Sequence, residues 1–318
     1  MKLHNDPKIF KELIVATAQN SKGLQNFQVE KDYFVSLFLK ELSKTNKDLE
    51  VVFKGGTSLS KCYDVINRFS EDVDLTIKLD NKKANYQIKK QFKNKIISSI
   101  ENLGMVFLNP LNVESKKNYN YYEVEFKKHF ESTPEIIPFI KIETITAYKP
   151  YPCKKLLVSN YITKFLREIE EGEELIKKYE LEEFEMNIQT VERTFIDKLF
   201  ALCDYYLSKN YFRNSRHIYD IHMIWNSGLL NKKVVSNIVD DVLADRQRFS
   251  NKNLSSKPGS KPKDILLEIV ETGVFKTDFN EVTLQFIYDD DNTSYEESIK
   301  TLEEILNTSL LPEVVRNY

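Results

Sequence analysis

The stretch from 51 to 79, VVFKGGTSLSKCYDVINRFSEDVDLTIKL, constrains the fold of this chain more than any other. Its opening apolar run predicts a strand, a Gly-Gly pair interrupts that run, and hydroxyl residues, which favour helix starts, come next. The pattern predicts a short helix over 58–66 and a second strand that begins at Asp72. We therefore expect a compact strand–turn–helix–strand unit.

Two acidic residues on the second predicted strand indicate a cation site. Side chains alternate along a strand, so Asp72 and Asp74 lie on one face while Val73 and Leu75 lie on the other. Neighbouring carboxylates repel each other, and burying them without a partner is costly. Magnesium prefers hard oxygen ligands of this kind and often shares them with substrate phosphates.

The Gly-Gly turn supplies the second half of a nucleotide site. Glycine lets the backbone approach a ligand closely, and the helix N-terminus behind it offers free N–H groups to a phosphate. The candidate nucleotide-binding residues are Gly55, Gly56, Thr57, Ser58 and Lys61. An anion cradle beside a metal site is the arrangement that a nucleoside triphosphate requires.

GGTSLSK followed by RFSEDVDL resembles the nucleotidyltransferase toxins of the AbiEii/AbiGii group, in the polymerase-β-like superfamily. A Glu-Lys-Asp-Tyr stretch at 30–33 extends the resemblance, which covers residues 27–225; Lys31 there either faces the site or belongs to a charged first helical turn. The resemblance implies an α/β plus α fold. A nucleotidyltransferase domain over 1–190 has a mixed sheet flanked by helices, and a C-terminal helical bundle over 191–318 contributes to the active site.

The resemblance also implies three further catalytic residues. Glu143 matches the third carboxylate of the superfamily, which would join Asp72 and Asp74 as a metal ligand; alternatively it is an exposed residue on an edge strand. Lys198 and Asp220 match the positions that complete the active site in the family, and their alternative is a structural ion pair between two packed helices.

The implied reaction is magnesium-dependent transfer of a nucleotidyl group from a nucleoside triphosphate to an acceptor hydroxyl, with two metal ions. The implied role is that of a toxin in a toxin–antitoxin or phage abortive-infection system, with tRNA as acceptor and a cognate antitoxin as partner. Two other functions stay open: a nucleotidyltransferase that modifies a small molecule such as an antibiotic, and a non-catalytic nucleotide-binding module.

Composition restricts how RNA could be bound. The 318 residues carry a net charge of −2, so any nucleic-acid site must be a local basic patch. A loop predicted over 251–263 is rich in lysine, and a helical face with arginines precedes it; the alternative is that both are merely solvated. The candidate RNA contacts are Arg213, Arg216, Arg246, Arg248, Lys252, Lys257, Lys261 and Lys263.

Three widely spaced cysteines indicate neither a disulfide framework nor a zinc cluster. No apolar run reaches the length of about 18 residues typical of a membrane span, and the first ten residues lack the core of a signal peptide. We expect a cytoplasmic protein. Periodicity elsewhere predicts helices over 7–45 and 82–104, strands over 105–110, 120–127, 138–147 and 184–188, and mostly helices from 191 onward.

Overall fold

The computed structural model describes residues 1–44, 49–79, 84–288 and 293–318. These residues form two compact units. The first comprises Met1–Gln189 together with Tyr288, and the second comprises Thr190–Ile287 together with the C-terminal residues from 293 onward.

A seven-stranded mixed sheet is the centre of the first unit. The strands are β1 (Val51–Lys54), β2 (Asp72–Ile77), β3 (Val106–Phe107), β4 (Tyr119–Glu125), β5 (Ile140–Ile145), β6 (Cys153–Val158) and β7 (Phe184–Gln189). Their order is β3-β4-β5-β2-β1-β7-β6. The pairs β1/β7 and β2/β5 are parallel, and the other neighbours are antiparallel. The expectation of an α/β fold with a mixed sheet is confirmed.

Helices accompany the sheet in the first unit. They are α1 (Pro7–Asn20), α2 (Asn26–Ser43), α3 (Gly55–Ser58), α4 (Tyr86–Asn102), α5 (Tyr161–Arg167) and α6 (Gly172–Lys178). Several of these helices start at an N-cap residue. The Asp6 carboxylate accepts the Ile9 N–H at the start of α1, and the Asn85 side chain accepts the Ile88 N–H at the start of α4. Helix α2 begins with a capping box formed by Gln25 and Gln28.

The short helix after β1 differs from its predicted bounds. Helix α3 begins at Gly55 and continues as a π-turn over Leu59–Tyr63, so the Gly-Gly pair is the first turn of the helix rather than a break before it. Residue Gly55 has a φ of 78°, a left-handed conformation that glycine adopts without strain. The chain thus turns from strand to helix within one residue.

Strand β6 was not predicted from the sequence. It lies at the edge of the sheet and pairs only with β7. Lys154, Lys155 and Leu157 on this strand are exposed. An edge strand needs no alternation of apolar and polar residues, so the pattern that reveals a half-buried strand is absent here.

Helices joined by loops and turns make up the described residues of the second unit. Its helices are α7 (Val191–Leu207), α8 (Arg216–Asn226), α9 (Lys232–Gln247), α10 (Pro262–Thr272), α11 (Lys276–Glu281) and α12 (Tyr295–Leu306). Helix α11 was not predicted from sequence. The loop predicted over 251–263 is present, with one 3-10 turn at Leu254–Ser256. Among the helices of the described residues, none has the length and apolar character needed to cross a membrane.

Candidate active site

Parallel pairing of β2 with β5 brings the three predicted acids onto one face of the sheet. Asp74 lies directly opposite Glu143, and Asp72 lies opposite Lys141. All four side chains are partly exposed, while the alternate residues of both strands, such as Val73, are buried. The alternation predicted for β2 is therefore confirmed, and the register adds Glu143 to the same face.

The Lys141 ammonium lies among these carboxylates. It contacts the Glu143 carboxylate and is 3.8 Å from Oδ1 of Asp72. Partial burial alone would lower the pKa of Lys141, but the hydrogen bond to Glu143 and the charges of Asp72 and Asp74 outweigh it and raise that pKa. The acidic face therefore stabilises a positive charge, in this case one supplied by the protein itself.

Tyr119 on β4 contacts the same acid from the other side. Its hydroxyl donates a hydrogen bond to Oε1 of Glu143 at 3.1 Å. Burial raises the pKa of the Tyr119 phenol, and the neighbouring Glu143 raises it further, so the phenol keeps its proton and remains a donor. Lys141 and Tyr119 together fix the position of the Glu143 carboxylate.

Residue Gly55 brings the backbone against the acid pair. A Cβ atom at this position would lie 2.8 Å from the carboxyl carbon of Asp74 and closer still to one of its oxygens. Only glycine leaves room for this approach, and the left-handed φ favours glycine as well. The Gly-Gly turn and the Asp-x-Asp strand are thus fitted to each other in three dimensions.

Two residues near the turn were missed by the sequence analysis. A Cβ at Gly56 would meet Oγ of Ser70 at 2.8 Å and Nη2 of the buried Arg68 at 2.9 Å. Both residues belong to the RFSEDVDL segment that carries the resemblance. That segment was the available signal, although only its aspartates were assigned a role.

The hydroxyl groups after the turn serve the protein rather than a ligand. The Thr57 hydroxyl contacts the Ser70 hydroxyl at 3.0 Å and the main-chain carbonyl of Asp72. The Ser58 hydroxyl donates to the Gly55 carbonyl at 2.8 Å. Both side chains are buried, and the assignment of Thr57 and Ser58 to the nucleotide site stays a prediction. The main-chain N–H groups of the turn remain as candidate donors.

Lys61 has a scaffold role that differs from the expectation. Its ammonium is buried and lies 2.5 Å from the Asp32 carboxylate and 2.7 Å from the Ser36 hydroxyl. Burial lowers the pKa of Lys61, and the Asp32 charge opposes that effect. Because these partners already surround the ammonium, we do not include Lys61 in the nucleotide site. The helical pattern could not show this, since Asp32 comes from a distant helix.

The Glu-Lys-Asp-Tyr stretch on α2 is buried as well. Lys31 forms an ion pair with Glu71 at 3.2 Å and donates to the Ile137 carbonyl at 2.8 Å. Glu71 also accepts the Ile137 N–H at 2.7 Å and directly precedes Asp72. Lys31 lies in the second turn of α2 rather than the first, and its contacts connect the start of β2 to the segment before β5.

In the second unit, Lys198 of α7 and Asp220 of α8 form a buried ion pair. Lys198 Nζ is 2.5 Å from Oδ2 of Asp220, and the side chains are 7% and 0% exposed. Amphipathic spacing predicted α7 correctly, and Val191, Phe195 and Leu199 on its predicted face are buried. The ion pair that was the structural alternative for these residues is present; their catalytic role stays a prediction.

The predicted arginine face is only partly formed. Arg213 precedes α8 with a positive φ of 60°, so it does not share a helical face with Arg216 and Asp220 as predicted. The Asp278 carboxylate accepts the N–H groups of Arg213 and Ser215, which holds this segment in a turn until α8 begins. Spacing in sequence could not reveal this distant acceptor.

The basic residues near the 251–263 loop differ in accessibility. Arg246 is buried, contacts the Asp204 carboxylate and donates to Ser256 at 2.9 Å, and this geometry does not favour its predicted RNA contact. Three other basic residues form ion pairs with nearby acids: the exposed Arg248 with Asp245, the exposed Lys261 with Asp264, and the partly exposed Lys263 with Glu313. Lys252 and Lys257 are exposed.

The acidic face fits a divalent cation by its chemistry. Its donors are all carboxylate oxygens, the ligands that magnesium prefers, and it already holds an ammonium group. In the part of the chain that the structure describes, no three His, Cys, Asp or Glu side chains are grouped closely enough to hold a metal ion. Glu143 contacts Lys141 in this structure, so it could serve as a cation ligand only if it gave up that contact.

A sequence profile described as "Nucleotidyl transferase AbiEii toxin, Type IV TA system" matches residues 37–307. The chain belongs to the AbiEii family. The match includes every predicted acid and both members of the Lys198–Asp220 pair, whereas the stretch at 30–33 lies outside it. Among curated protein sequences, none matches this chain significantly.

Family membership confirms the resemblance derived from the motifs. This AbiEii-family protein is a nucleotidyl transferase, and its family consists of toxins of type IV toxin–antitoxin systems. An antitoxin counterpart follows from that classification. Membership therefore favours an enzyme that transfers a phosphorus-containing group over the alternative of a non-catalytic nucleotide-binding module.

Proposed function

We propose that this AbiEii-family protein transfers a nucleotidyl group from a nucleoside triphosphate to a hydroxyl of RNA, with tRNA as the acceptor, in a magnesium-dependent reaction. The observation that carries the proposal is the register of β2 and β5, which places Asp72, Asp74 and Glu143 on one face around a bound positive charge. The cellular role that we propose is growth arrest during phage infection.

The charges on the acidic face explain why a cation is needed. A triphosphate brings several negative charges to a surface that already carries three carboxylates, and Lys141 offsets only one of them. Asp72 and Asp74 would hold one or two magnesium ions, which neutralise phosphate charge and align an in-line displacement when bound.

Gly55 and Glu143 would position the triphosphate and the attacking hydroxyl. Residue Gly55 keeps the Asp74 carboxylate against the turn, where main-chain N–H groups can receive phosphate oxygens. Glu143, positioned by Lys141 and Tyr119, is placed either to complete the cation site or to accept the proton of the attacking hydroxyl. The products are the nucleotidylated acceptor and pyrophosphate.

A labelling experiment tests the proposal. The purified protein is incubated with each of the four α-labelled triphosphates, magnesium and total RNA, in parallel with Asp74→Asn and with a reaction containing a chelator. We expect label in a tRNA-sized band with one preferred triphosphate, and none in the two control reactions. Label in a small molecule but not in RNA would favour the antibiotic-type alternative, and label that persists with the chelator would contradict magnesium dependence.

A further inference from the structure

Two tyrosines lie beside the acidic face on strand β4. Tyr121 is directly opposite Glu143 in the antiparallel pairing of β4 with β5, and Tyr119 is two residues away on the same face. Tyr119 is 41% exposed, and Tyr121 is partly exposed. Their ring centroids are 6.5 Å apart with an interplanar angle of 37°, and we call this pair of neighbouring, tilted rings the tyrosine shelf.

The shelf is held in place by the catalytic acid itself. The hydrogen bond from the Tyr119 hydroxyl to Glu143 fixes one end of the ring, while the residue keeps 41% of its surface exposed. A ring that is already oriented loses little conformational entropy when a ligand stacks on it. Exposed aromatic rings on neighbouring positions of a strand are a recurrent platform for unpaired bases.

The strand order places the shelf on one particular side of the acids. Across the sheet, β4 is followed by β5, β2 and β1, so Glu143 and the Asp pair separate the shelf from the Gly-Gly turn after β1. In an in-line displacement the attacking hydroxyl enters opposite the leaving pyrophosphate. If the turn receives the triphosphate, the acceptor must approach from the side of β5 and β4.

We infer that Tyr119 and Tyr121 stack an unpaired base of the RNA acceptor and thereby present the neighbouring hydroxyl to Glu143. The inference rests on the proposed function and names the acceptor-binding element of the same site. Stacking suits this location because the adjacent carboxylates repel the RNA backbone, so phosphate contacts cannot supply the affinity here. Stacking also tolerates different bases, since each base offers an aromatic face.

Direct binding measurements on single variants test the shelf. Tyr121→Leu and Tyr119→Leu each remove a ring, Tyr121→Phe retains it, and Tyr86→Leu removes an aromatic ring that is 55% exposed elsewhere in the first unit. Fluorescence anisotropy reports binding of a labelled single-stranded oligoribonucleotide, and calorimetry reports binding of the preferred triphosphate. Thermal melts verify that each variant is folded.

We expect either leucine variant at the shelf to weaken RNA binding by about 5- to 150-fold, the loss typical of one stacked base. The triphosphate affinity of Tyr121→Leu should stay within twofold of the wild type, and so should the RNA affinity of Tyr121→Phe and Tyr86→Leu. In transfer assays the KM for RNA should rise, while the KM for triphosphate stays constant.

Two results would overturn the inference. Unchanged RNA affinity in the folded leucine variants means that the shelf does not bind the acceptor. Loss of triphosphate affinity instead of RNA affinity means that the rings stack the base of the triphosphate. Failure of the proposed function is visible separately, because the wild-type protein would then fail to label RNA before any variant is compared.

Discussion

Replacing Gly55 with alanine tests whether the close approach of the backbone to Asp74 matters for transfer. The new Cβ atom would lie 2.8 Å from the Asp74 carboxyl carbon, whereas carbon atoms in ordinary contact are separated by about 3.5 Å or more. The carboxylate must therefore move by roughly half an ångström or more. A displacement of about 1 Å at a reacting centre can lower the rate by roughly a hundredfold.

The same substitution also strains the backbone. A φ of 78° costs a residue with a side chain about 1–2 kcal/mol. Gly104→Ala is a matched control, because Gly104 has a φ of 65° and its added Cβ would have no neighbour within 4 Å. We expect both variants to lose about 1–2 kcal/mol of unfolding free energy in urea titrations.

Only Gly55→Ala should lose transfer activity, by about a hundredfold in kcat with labelled triphosphate and RNA. A folded Gly55→Ala protein whose kcat stays within a few-fold of the wild type would refute the argument that Asp74 must lie against the turn. An equal loss in Gly104→Ala would attribute the effect to backbone strain instead.

Three further predictions concern the acid pair, the second unit and the basic loop. Asp72→Asn should lower transfer by about a thousandfold or more while the melting temperature is retained, because it removes a proposed metal ligand; near-normal activity would exclude that role. Lys198→Ala should cost about 3–5 kcal/mol of stability by removing the ammonium that faces the buried Asp220 carboxylate, and the double variant Lys198→Met, Asp220→Asn should recover stability in melts. Normal transfer by that stable double variant would show that the pair is only structural. Replacing Lys252 and Lys257 with glutamine should reduce the salt slope of RNA binding by about 1.4 if each neutralises one phosphate, and should leave triphosphate binding unchanged; an unaltered slope would mean that the loop is only solvated.

The basic loop shows where sequence reasoning about function reached its limit. Arg246 and Lys257 were both predicted as RNA contacts because they are positively charged. Arg246 is buried against Asp204, whereas Lys257 is exposed. The sequence reports that a residue is positive, but its accessibility depends on which distant acid the fold brings beside it. Lys61 and Asp32 illustrate the same point in the first unit.

The local features of the site were accessible from sequence. Alternation along β2 placed Asp72 and Asp74 together on one face, and the spacing of the Gly-Gly pair before them indicated a phosphate-binding turn. The inference of a shared face succeeded because strand alternation acts over a few residues, whereas phosphate binding by the turn stays a prediction. The family resemblance then assigned nucleotidyl transfer, and the family profile confirmed that assignment.

Tertiary structure alone decided which side chains surround those acids. The parallel pairing of β2 with β5 joins residues nearly seventy positions apart and sets Glu143 opposite Asp74 with Lys141 between the acids. The pairing of β5 with β4 then brings Tyr119 to Glu143. A shift of one residue in either register would turn these side chains to the opposite face, and the alternation within one strand does not tell which strand it pairs with.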